Sequence, residues 1–163
     1  MTYLIKNLSY QSLDDCFSFI KNEKFFNNLK GFNGWSINSI ENFLKNDQFI
    51  CLGCYNKNTI VGFIISTFCN IKNLTELEIL LIIVDKKHRR KGVGSKLITG
   101  LLKNIQFKKK LNIFLEFSES NSVAKNFYED YGFEMLSKRA NYYKLNNGKK
   151  ENAMIYKFEL NNK

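Results

Sequence analysis

The sequence contains no proline, a single histidine and no long run of uncharged apolar residues. A membrane-spanning helix needs about 20 consecutive apolar residues, so such a helix is excluded. Residues 1–10 do not place an apolar stretch after a basic one, as an export signal would. We therefore expect a cytoplasmic protein that has no membrane role.

Metal binding is not expected, although two of the four cysteines, Cys51 and Cys54, are spaced C-x-x-C. The segment Phe49–Tyr55 has the composition of a strand, and residues three apart on a strand point to opposite faces. A structural zinc site takes four ligands, and with His88 as the only histidine there is no second pair to complete one. We expect buried, reduced thiols and no metal.

The net charge of +10 does not by itself predict nucleic-acid binding. The missing proline and the abundant asparagine and lysine are typical of a chain encoded by an AT-rich genome, which raises the lysine content everywhere. The positive field still favours anionic ligands, such as a nucleotide cofactor or a ribosomal surface. With 163 residues, of which 44% are hydrophobic, the chain is expected to form a single domain over residues 1–163.

Hydrophobic periodicity predicts helices and strands along the whole chain. The predicted helices are Ser12–Glu23, a helix that begins at the N-cap Ser36 and continues through Leu44, Ser95–Ile105, and Val123–Tyr131 with Gly132 as its stop. The predicted strands are Ile5–Leu8, Phe49–Tyr55, Thr59–Ile71, Glu76–Val84, Leu111–Phe117, Phe133–Asn141 and Ala153–Leu160. Meander strands followed by strand–helix–strand–helix–strand predict a mixed α/β sheet and not a doubly wound one.

A basic, glycine-containing loop lies between the strand Glu76–Val84 and the helix that follows. Its residues are Arg89, Arg90, Lys91, Gly92, Val93, Gly94 and Ser95. Glycine allows the backbone to approach an anion closely, and the first amides of a helix point at it. The Walker pattern is absent, and the dinucleotide pattern G-x-G-x-x-G fails at Leu97. The loop therefore predicts a pyrophosphate site, and the alternative is a solvated basic turn.

Arg89, Gly92 and Gly94 satisfy R/Q-x-x-G-x-G/A, so the loop resembles the acetyl-CoA motif of the GNAT superfamily of acetyltransferases. Further segments, in the same order along the chain, resemble the RimI-type enzymes of that superfamily. These segments are Phe32–Ser36, Glu78–Val84, Phe114–Phe117 with Ser120 and Asn121, Phe127–Phe133, Lys138–Tyr143 and Asn152–Ile155. The resemblance implies the GNAT fold, which is a central, mostly antiparallel twisted sheet flanked by helices, and acetyl-CoA as the co-substrate.

The resemblance also implies roles for individual residues. It makes Glu116 the base that removes the amine proton and Tyr128 the acid that protonates the coenzyme sulfur. Cofactor contacts fall on Ile82, Ile83 and Val84 along the pantetheine arm, on the loop residues 89–95, and on Asn121. The residues Trp35, Tyr142 and Tyr143 are candidate walls of a peptide pocket. The alternatives are a solvent-facing strand glutamate for Glu116, packing roles for the aromatic residues, and a helix N-cap for Asn121.

The RimI-type resemblance implies acetyl transfer to the N-terminal α-amino group of a protein, an N-terminal alanine of a small-subunit ribosomal protein, with no direct nucleic-acid role. Gly34 and Lys144 stand where the family has prolines, and Ser118 where it has an arginine, so peptide specificity is the open part. One alternative is an acetyltransferase for lysine side chains or small amines. Another is a non-catalytic module that binds ribosomes or nucleic acid, with salt-sensitive RNA binding and no turnover.

Overall fold

The computed structural model describes residues 2–22 and 36–162. Its strands are β1 (Tyr3–Asn7), β2 (Phe49–Asn56), β3 (Thr59–Ile71), β4 (Leu74–Val84), β5 (Lys110–Ser118), β6 (Glu134–Lys144) and β7 (Lys150–Asn161). Its helices are α1 (Leu13–Lys21), α2 (Ile37–Lys45), α3 (Val93–Asn104) and α4 (Ser122–Tyr131), with short 3-10 helices at Tyr10–Ser12 and Lys86–His88. Within these ranges, none of the helices has the length and apolarity that crossing a bilayer requires.

The strands form one seven-stranded sheet in the order β1-β2-β3-β4-β5-β7-β6. Every neighbouring pair is antiparallel except β4 and β5, which are parallel and connected through α3. A parallel pair needs a crossover connection, and the helix after the basic loop supplies it. The prediction of a mixed, mostly antiparallel sheet flanked by helices is confirmed.

Local signals in the sequence account for the element ends. The Ser36 hydroxyl accepts a hydrogen bond from the Ser39 amide at 3.1 Å, which caps α2 as predicted. Gly132 ends α4 with φ +104°, a left-handed conformation that glycine adopts without strain. Several strands extend a few residues beyond their predicted ends, because inter-strand pairing continues where the apolar pattern has already faded.

The two faces of the sheet carry separate hydrophobic cores. The first core packs α3 and α4 on one face, and Ile64, Leu97, Leu101 and Tyr156 lie at its centre. The second core packs α1 and α2 on the other face, around Ile40 and Phe63. Cys54 belongs to the first core and Cys51 packs against the second, so the C-x-x-C thiols face opposite sides as predicted. Both are free thiols, and burial raises the pKa of Cys51 to about 12.

An extra residue in β4 disturbs its pairing with β3. Ile65 of β3 lies opposite Leu81, whereas the next residue, Ser66, lies opposite Ile79. Leu80 is therefore a β-bulge, which bends a strand and increases its local twist.

The bulge also exchanges the faces of the strand. Before it, Leu77 and Ile79 point into the first core; after it, Leu81 and Ile83 point into the second. Both faces of residues 79–84 pack against one core or the other, which explains why this part of the strand is continuously apolar without a period of two.

Beyond the bulge, β4 and β5 separate. Their parallel ladder runs from Leu74 opposite Lys110 to Ile79 opposite Leu115 and ends there, although both strands continue. The continuing segments, 80–84 of β4 and 116–118 of β5, are not paired with each other. The sheet therefore opens into a wedge between these two segments.

Candidate functional site

The N-terminus of α3 is open to a ligand. Its N-cap, Gly92, has φ +77°, and no side chain caps the first turn. The first intrahelical bond of this turn is the one from the Lys96 amide to the Gly92 carbonyl, at 3.0 Å. The amides of Val93, Gly94 and Ser95 precede it and have no acceptor within the helix, as at any helix start. They form the anion-binding position that the sequence predicts.

The cations of the loop help to fix its shape. The Arg89 Nε donates to the Val84 carbonyl at 2.9 Å, and the Lys91 Nζ donates to the Lys87 carbonyl at 2.7 Å. Arg90 lies between them with φ +59°, in the left-handed region that non-glycine residues rarely adopt. The loop is thus a bent basic turn whose side chains bind its own backbone at the end of β4.

The two glycines of the motif serve different purposes. A Cβ on Gly92 would meet no atom within 4 Å, so this residue is required for its left-handed φ and not for space. A Cβ on Gly94 would lie 2.9 Å from the Phe127 ring of α4. Gly94 is therefore a contact point between α3 and α4. The sequence interpretation explained this glycine by close approach to an anion and did not predict the contact between the helices.

The other predicted cofactor residues border the wedge. Ile82 and Val84 are half-buried against the first core, and Ile83 is buried in the second. Asn121 is the N-cap of α4, where its Oδ1 accepts from the Ala124 amide at 3.1 Å. Asn121 therefore has the N-cap role that was the alternative to a cofactor contact. The side-chain nitrogen of Asn121 takes no part in the cap and could donate a hydrogen bond to a ligand.

A cleft of about 350 Å³ opens on the sheet face that carries α1 and α2. It lies over β3, β4 and β5, with β6 and β7 at one side. Its lining consists of Thr67, Phe68, Cys69, Glu76, Leu77, Glu78, Phe114, Leu115, Glu116, Arg139 and Ile155. The cleft combines an apolar floor with three carboxylates and one guanidinium.

Glu116 points into this cleft and is paired. Arg139 of β6 donates to its carboxylate at 3.2 Å, and the Glu116 side chain is 25% exposed. The guanidinium also lies over the Tyr142 ring, 5.3 Å from its centroid. Burial, and then the charge of Glu116 and a hydrogen bond to it, raise the pKa of the Tyr142 hydroxyl. Tyr143 packs against Tyr142 with ring centroids 5.0 Å apart. The structure thus brings Glu116, Tyr142 and Tyr143 together.

A second carboxylate, Glu78, lies beside this cluster. Glu78 is paired across the ladder with Phe114, two residues before Glu116 on the same face of β5. Burial raises the pKa of Glu78, the negative charge of Glu116 raises it further, and Arg139 partly opposes both. The sequence interpretation missed this residue, although an acid that alternates with Leu77 and Ile79 was a visible signal.

An irregularity in β6 positions the tyrosine pair. Arg139 lies opposite Ala153 and Tyr143 lies opposite Glu151, so the three residues 140–142 face the single residue Asn152. The Asn152 Oδ1 accepts from the Asn141 amide at 2.9 Å, with Asn141 at φ +55°.

The Glu119 carboxylate holds Asn152 in turn. It accepts from the Asn152 amide at 3.0 Å and from its side-chain nitrogen at 2.7 Å. These hydrogen bonds lower the pKa of Glu119. Glu119, Asn152 and Asn141 therefore fix the bend that carries Tyr142, and the sequence motifs did not indicate this support.

Tyr128 approaches from the opposite side of the sheet. It is 5% exposed in the first core and stacks on Phe117, the neighbour of Glu116, with centroids 5.7 Å apart. Burial raises the pKa of its hydroxyl well above the ordinary value. Within residues 2–22 and 36–162, no hydrogen bond holds that hydroxyl. Glu116 and Tyr128 therefore flank the end of β5 from two faces. Two residues named in the sequence analysis lie outside the described residues. They are Trp35, a candidate wall of the peptide pocket, and Gly34, which stands where the family has a proline.

Comparison with known proteins identifies the architecture. The family described as Acetyltransferase (GNAT) family matches residues 9–133. The [Ribosomal protein bS18]-alanine N-acetyltransferase of Haemophilus influenzae is 31% identical over 121 residues, which cover 74% of this chain and 79% of that protein. The protein of the same name from Haemophilus ducreyi is 33% identical over 82 residues, which cover 50% of this chain and 57% of that relative.

A solved structure has the same fold. The crystal structure of the ribosomal-protein-S18-alanine N-acetyltransferase from Escherichia coli superposes with a TM-score of 0.78 at 21% identity. The superposition covers 99% of this chain and 96% of that chain.

The contact between Gly94 and Phe127 generates a stability prediction. We expect Gly94→Val to destabilise the protein by about 1–3 kcal/mol, because its side chain would displace an aromatic ring between two helices. Urea denaturation measures this change. The double variant Gly94→Val/Phe127→Ala, compared with each single variant, is the control: overpacking predicts a double variant more stable than the sum of the single effects. Simple additivity would contradict this explanation.

Proposed function

Because the chain belongs to the acetyltransferase (GNAT) family, we propose that it transfers an acetyl group from acetyl-CoA to the N-terminal α-amino group of a protein. The acceptor is an N-terminal alanine of a small-subunit ribosomal protein, which places the reaction in the cytoplasm. The names of the Haemophilus relatives support this acceptor. The observation that carries the proposal is the wedge between β4 and β5, flanked by Glu116 on one face and Tyr128 on the other.

The open helix start and the wedge fit acetyl-CoA. Its pyrophosphate is an anion, and the uncapped amides of Val93, Gly94 and Ser95 offer donors to it. The pantetheine arm carries amides, and the unpaired edge of β4 at 82–84 offers backbone groups of the kind that bind an extended chain. When bound there, acetyl-CoA supplies an acetyl group activated as a thioester.

The chain's own residues then handle the protons. An α-amino group has a pKa of about 7.7–8.0, so a large part is protonated at neutral pH and cannot attack a carbonyl carbon. Glu116 takes that proton onto its carboxylate, and Arg139 stabilises the carboxylate while the acceptor enters. The mixed apolar and acidic cleft holds the first residue of the acceptor in place.

Tyr128 acts as the proton donor. Its raised pKa keeps the hydroxyl protonated at physiological pH, so it can donate its proton to the departing sulfur. Since no described residue binds this hydroxyl, the donor is not occupied by a structural partner. The proton acceptor and the proton donor thus act from two faces of one sheet.

The direct test uses purified protein, acetyl-CoA and a peptide with a free N-terminal alanine that also contains lysine. Mass spectrometry with fragmentation is expected to place one acetyl group on the α-nitrogen. The same peptide with a blocked N-terminus is the control and should remain unmodified. Acetylation of lysine in both peptides would support the side-chain acetyltransferase instead, and salt-sensitive RNA binding without turnover would support the binding module.

Loss of the proton acceptor defines a second prediction. We expect Glu116→Gln to lower kcat by roughly 10²–10⁴-fold at neutral pH, with an unchanged affinity for acetyl-CoA. Activity should recover partly above about pH 8, where the amine is already neutral. Rates measured from pH 6 to 10 test this, with the exposed β6 variant Glu134→Gln as a control that retains activity. A pH-independent defect would argue against the base role.

Tyr128→Phe separates a catalytic role from a packing role. The ring and its contacts with Phe117 and Phe133 remain, and the lost hydroxyl has no partner among the described residues, so thermal stability should be unchanged or higher. Activity should nevertheless fall, and the defect should persist at high pH, where bulk acid is scarce. Calorimetry and initial rates measure the two effects. If Tyr128→Phe turned over at the wild-type rate across the pH range, Tyr128 would have only a packing role.

A further inference from the structure

We propose that Glu119 is a positioning residue for the acceptor side of the site: through Asn152 and Asn141, its carboxylate holds Tyr142 against Glu116. The inference deepens the proposed function and rests on it, since it assumes that an acceptor amine reaches Glu116. The role assigned to Glu119 is to orient other residues, and removal of the amine proton stays with Glu116.

The bend that carries Tyr142 lacks the usual support of a strand. β6 is the last strand of the sheet, so only β7 pairs with it. The described ladder between β6 and β7 includes no pair for residues 140–142. Asn141, in the middle of the bend, has φ +55° and donates its main-chain amide to the Asn152 Oδ1 at 2.9 Å. The position of Tyr142 therefore depends on the orientation of one side-chain amide.

The carboxylate of Glu119 decides which way the Asn152 side chain points. A side-chain amide has an acceptor oxygen and a donor nitrogen, and only the oxygen can accept from Asn141. Glu119 accepts from the Asn152 main-chain amide at 3.0 Å and from its side-chain nitrogen at 2.7 Å, and these bonds lower the pKa of Glu119. Glu119 is therefore ionised at neutral pH and acts only as an acceptor. The nitrogen of Asn152 turns toward it, and the oxygen turns toward Asn141.

Tyr142 connects the bend to the proton acceptor. Burial, the charge of Glu116 and a hydrogen bond to its carboxylate raise the pKa of the Tyr142 hydroxyl. The Arg139 guanidinium pairs with Glu116 and lies over the Tyr142 ring, 5.3 Å from its centroid. Tyr142 is 46% exposed, so packing alone does not hold it. A shift of the bend would therefore move a direct neighbour of Glu116 at the side of the cleft.

The junction between β5 and α4 is held by other groups. The Glu151 carboxylate accepts from the hydroxyls of Ser118 and Ser120. The Asn121 amide donates to the Ser118 carbonyl at 2.8 Å. Loss of the Glu119 carboxylate therefore leaves the start of α4 in place, together with Asn121, the predicted cofactor contact. The effects of Glu119 on the acceptor side can be measured separately from those on acetyl-CoA.

The test exchanges donor and acceptor between Glu119 and Asn152, with kinetics on the free N-terminal alanine peptide. Asn152→Asp places a second carboxylate against Glu119 and should lower the peptide kcat/KM by about 10- to 100-fold, as for a lost charge-assisted hydrogen bond. Glu119→Gln removes the group that orients the amide and should lower it by about 3- to 10-fold. Acetyl-CoA KM should not change in either variant.

The double variant Glu119→Gln/Asn152→Asp should rescue the reaction. Its glutamine nitrogen can donate to one oxygen of the new aspartate, whose other oxygen accepts from Asn141. The peptide kcat/KM should therefore return to within about threefold of the wild type, far above the product of the two single effects. Glu134→Gln, which removes an exposed carboxylate at the other end of β6, is the control that should leave the kinetics unchanged.

A spectroscopic measurement follows Tyr142 without any substrate. In protein that carries an isotope label at the tyrosine Cζ atoms, the NMR signal of Tyr142, assigned with Tyr142→Phe, reports ionisation of its hydroxyl. The pKa of Tyr142 should fall toward the ordinary value of about 10 in Asn152→Asp, because its contact with Glu116 is loosened. It should rise again in the double variant.

The outcomes separate this inference from the proposed function. If the wild type acetylates the peptide but neither single variant alters the peptide kcat/KM or the titration of Tyr142, the role of Glu119 is overturned and the proposed function stands. If Asn152→Asp impairs turnover and the double variant does not recover, the effect does not act through the contact with Glu119, and the inference is again overturned. If the wild type acetylates no amine, the proposed function fails and the positioning role fails with it.

Discussion

The loss of pairing between β4 and β5 is the constraint on which the site depends. One extra residue, Leu80, twists β4 away from its parallel neighbour just after Ile79, and β5 continues without a partner on that side. A sheet normally separates its two faces completely, so groups on opposite faces cannot meet. Here the loss of pairing leaves an opening between β4 and the part of β5 that carries Glu116 on one face and contacts Tyr128 on the other. The same bulge lets β4 supply both hydrophobic cores.

Charge is distributed unevenly in a chain whose net charge is +10. The loop before α3 gathers positive groups and open amides on the side where an anionic co-substrate would bind. The cleft on the other side holds three carboxylates against one guanidinium. Screening limits exposed charges to about 8 Å at physiological salt, so the local acids and not the net charge decide what enters the cleft. The two approaches to the wedge therefore differ in the sign of their local charge.

The sequence predicted those features that depend on short spacing. The glycine loop, the caps at Ser36 and Gly132, and the alternation that puts Glu116 on one face of β5 are all local, and the structure contains each of them. The ion pair of Glu116 with Arg139 joins strands that become neighbours only through β7, so no spacing in the chain indicates it. The bulge at Leu80 was equally hidden, because in an entirely apolar run a change of face leaves the pattern unaltered.

The local departures from ordinary structure gather around one place. Of the non-glycine residues with positive φ, Lys57 and Lys72 lie in hairpin turns, where such values are usual. Arg90 lies within the basic loop, and Asn141 directly precedes the tyrosine pair. Near them are the bulge in β4 and, on β5, the side-chain oxygen of Asn112, which is buried without a hydrogen-bond partner among the described residues. Each of these features costs stability where it stands, and strained or unpaired groups persist where the surrounding structure holds them for a ligand. The two cores supply that support, because the wedge lies between them and each rigid face holds one side of it.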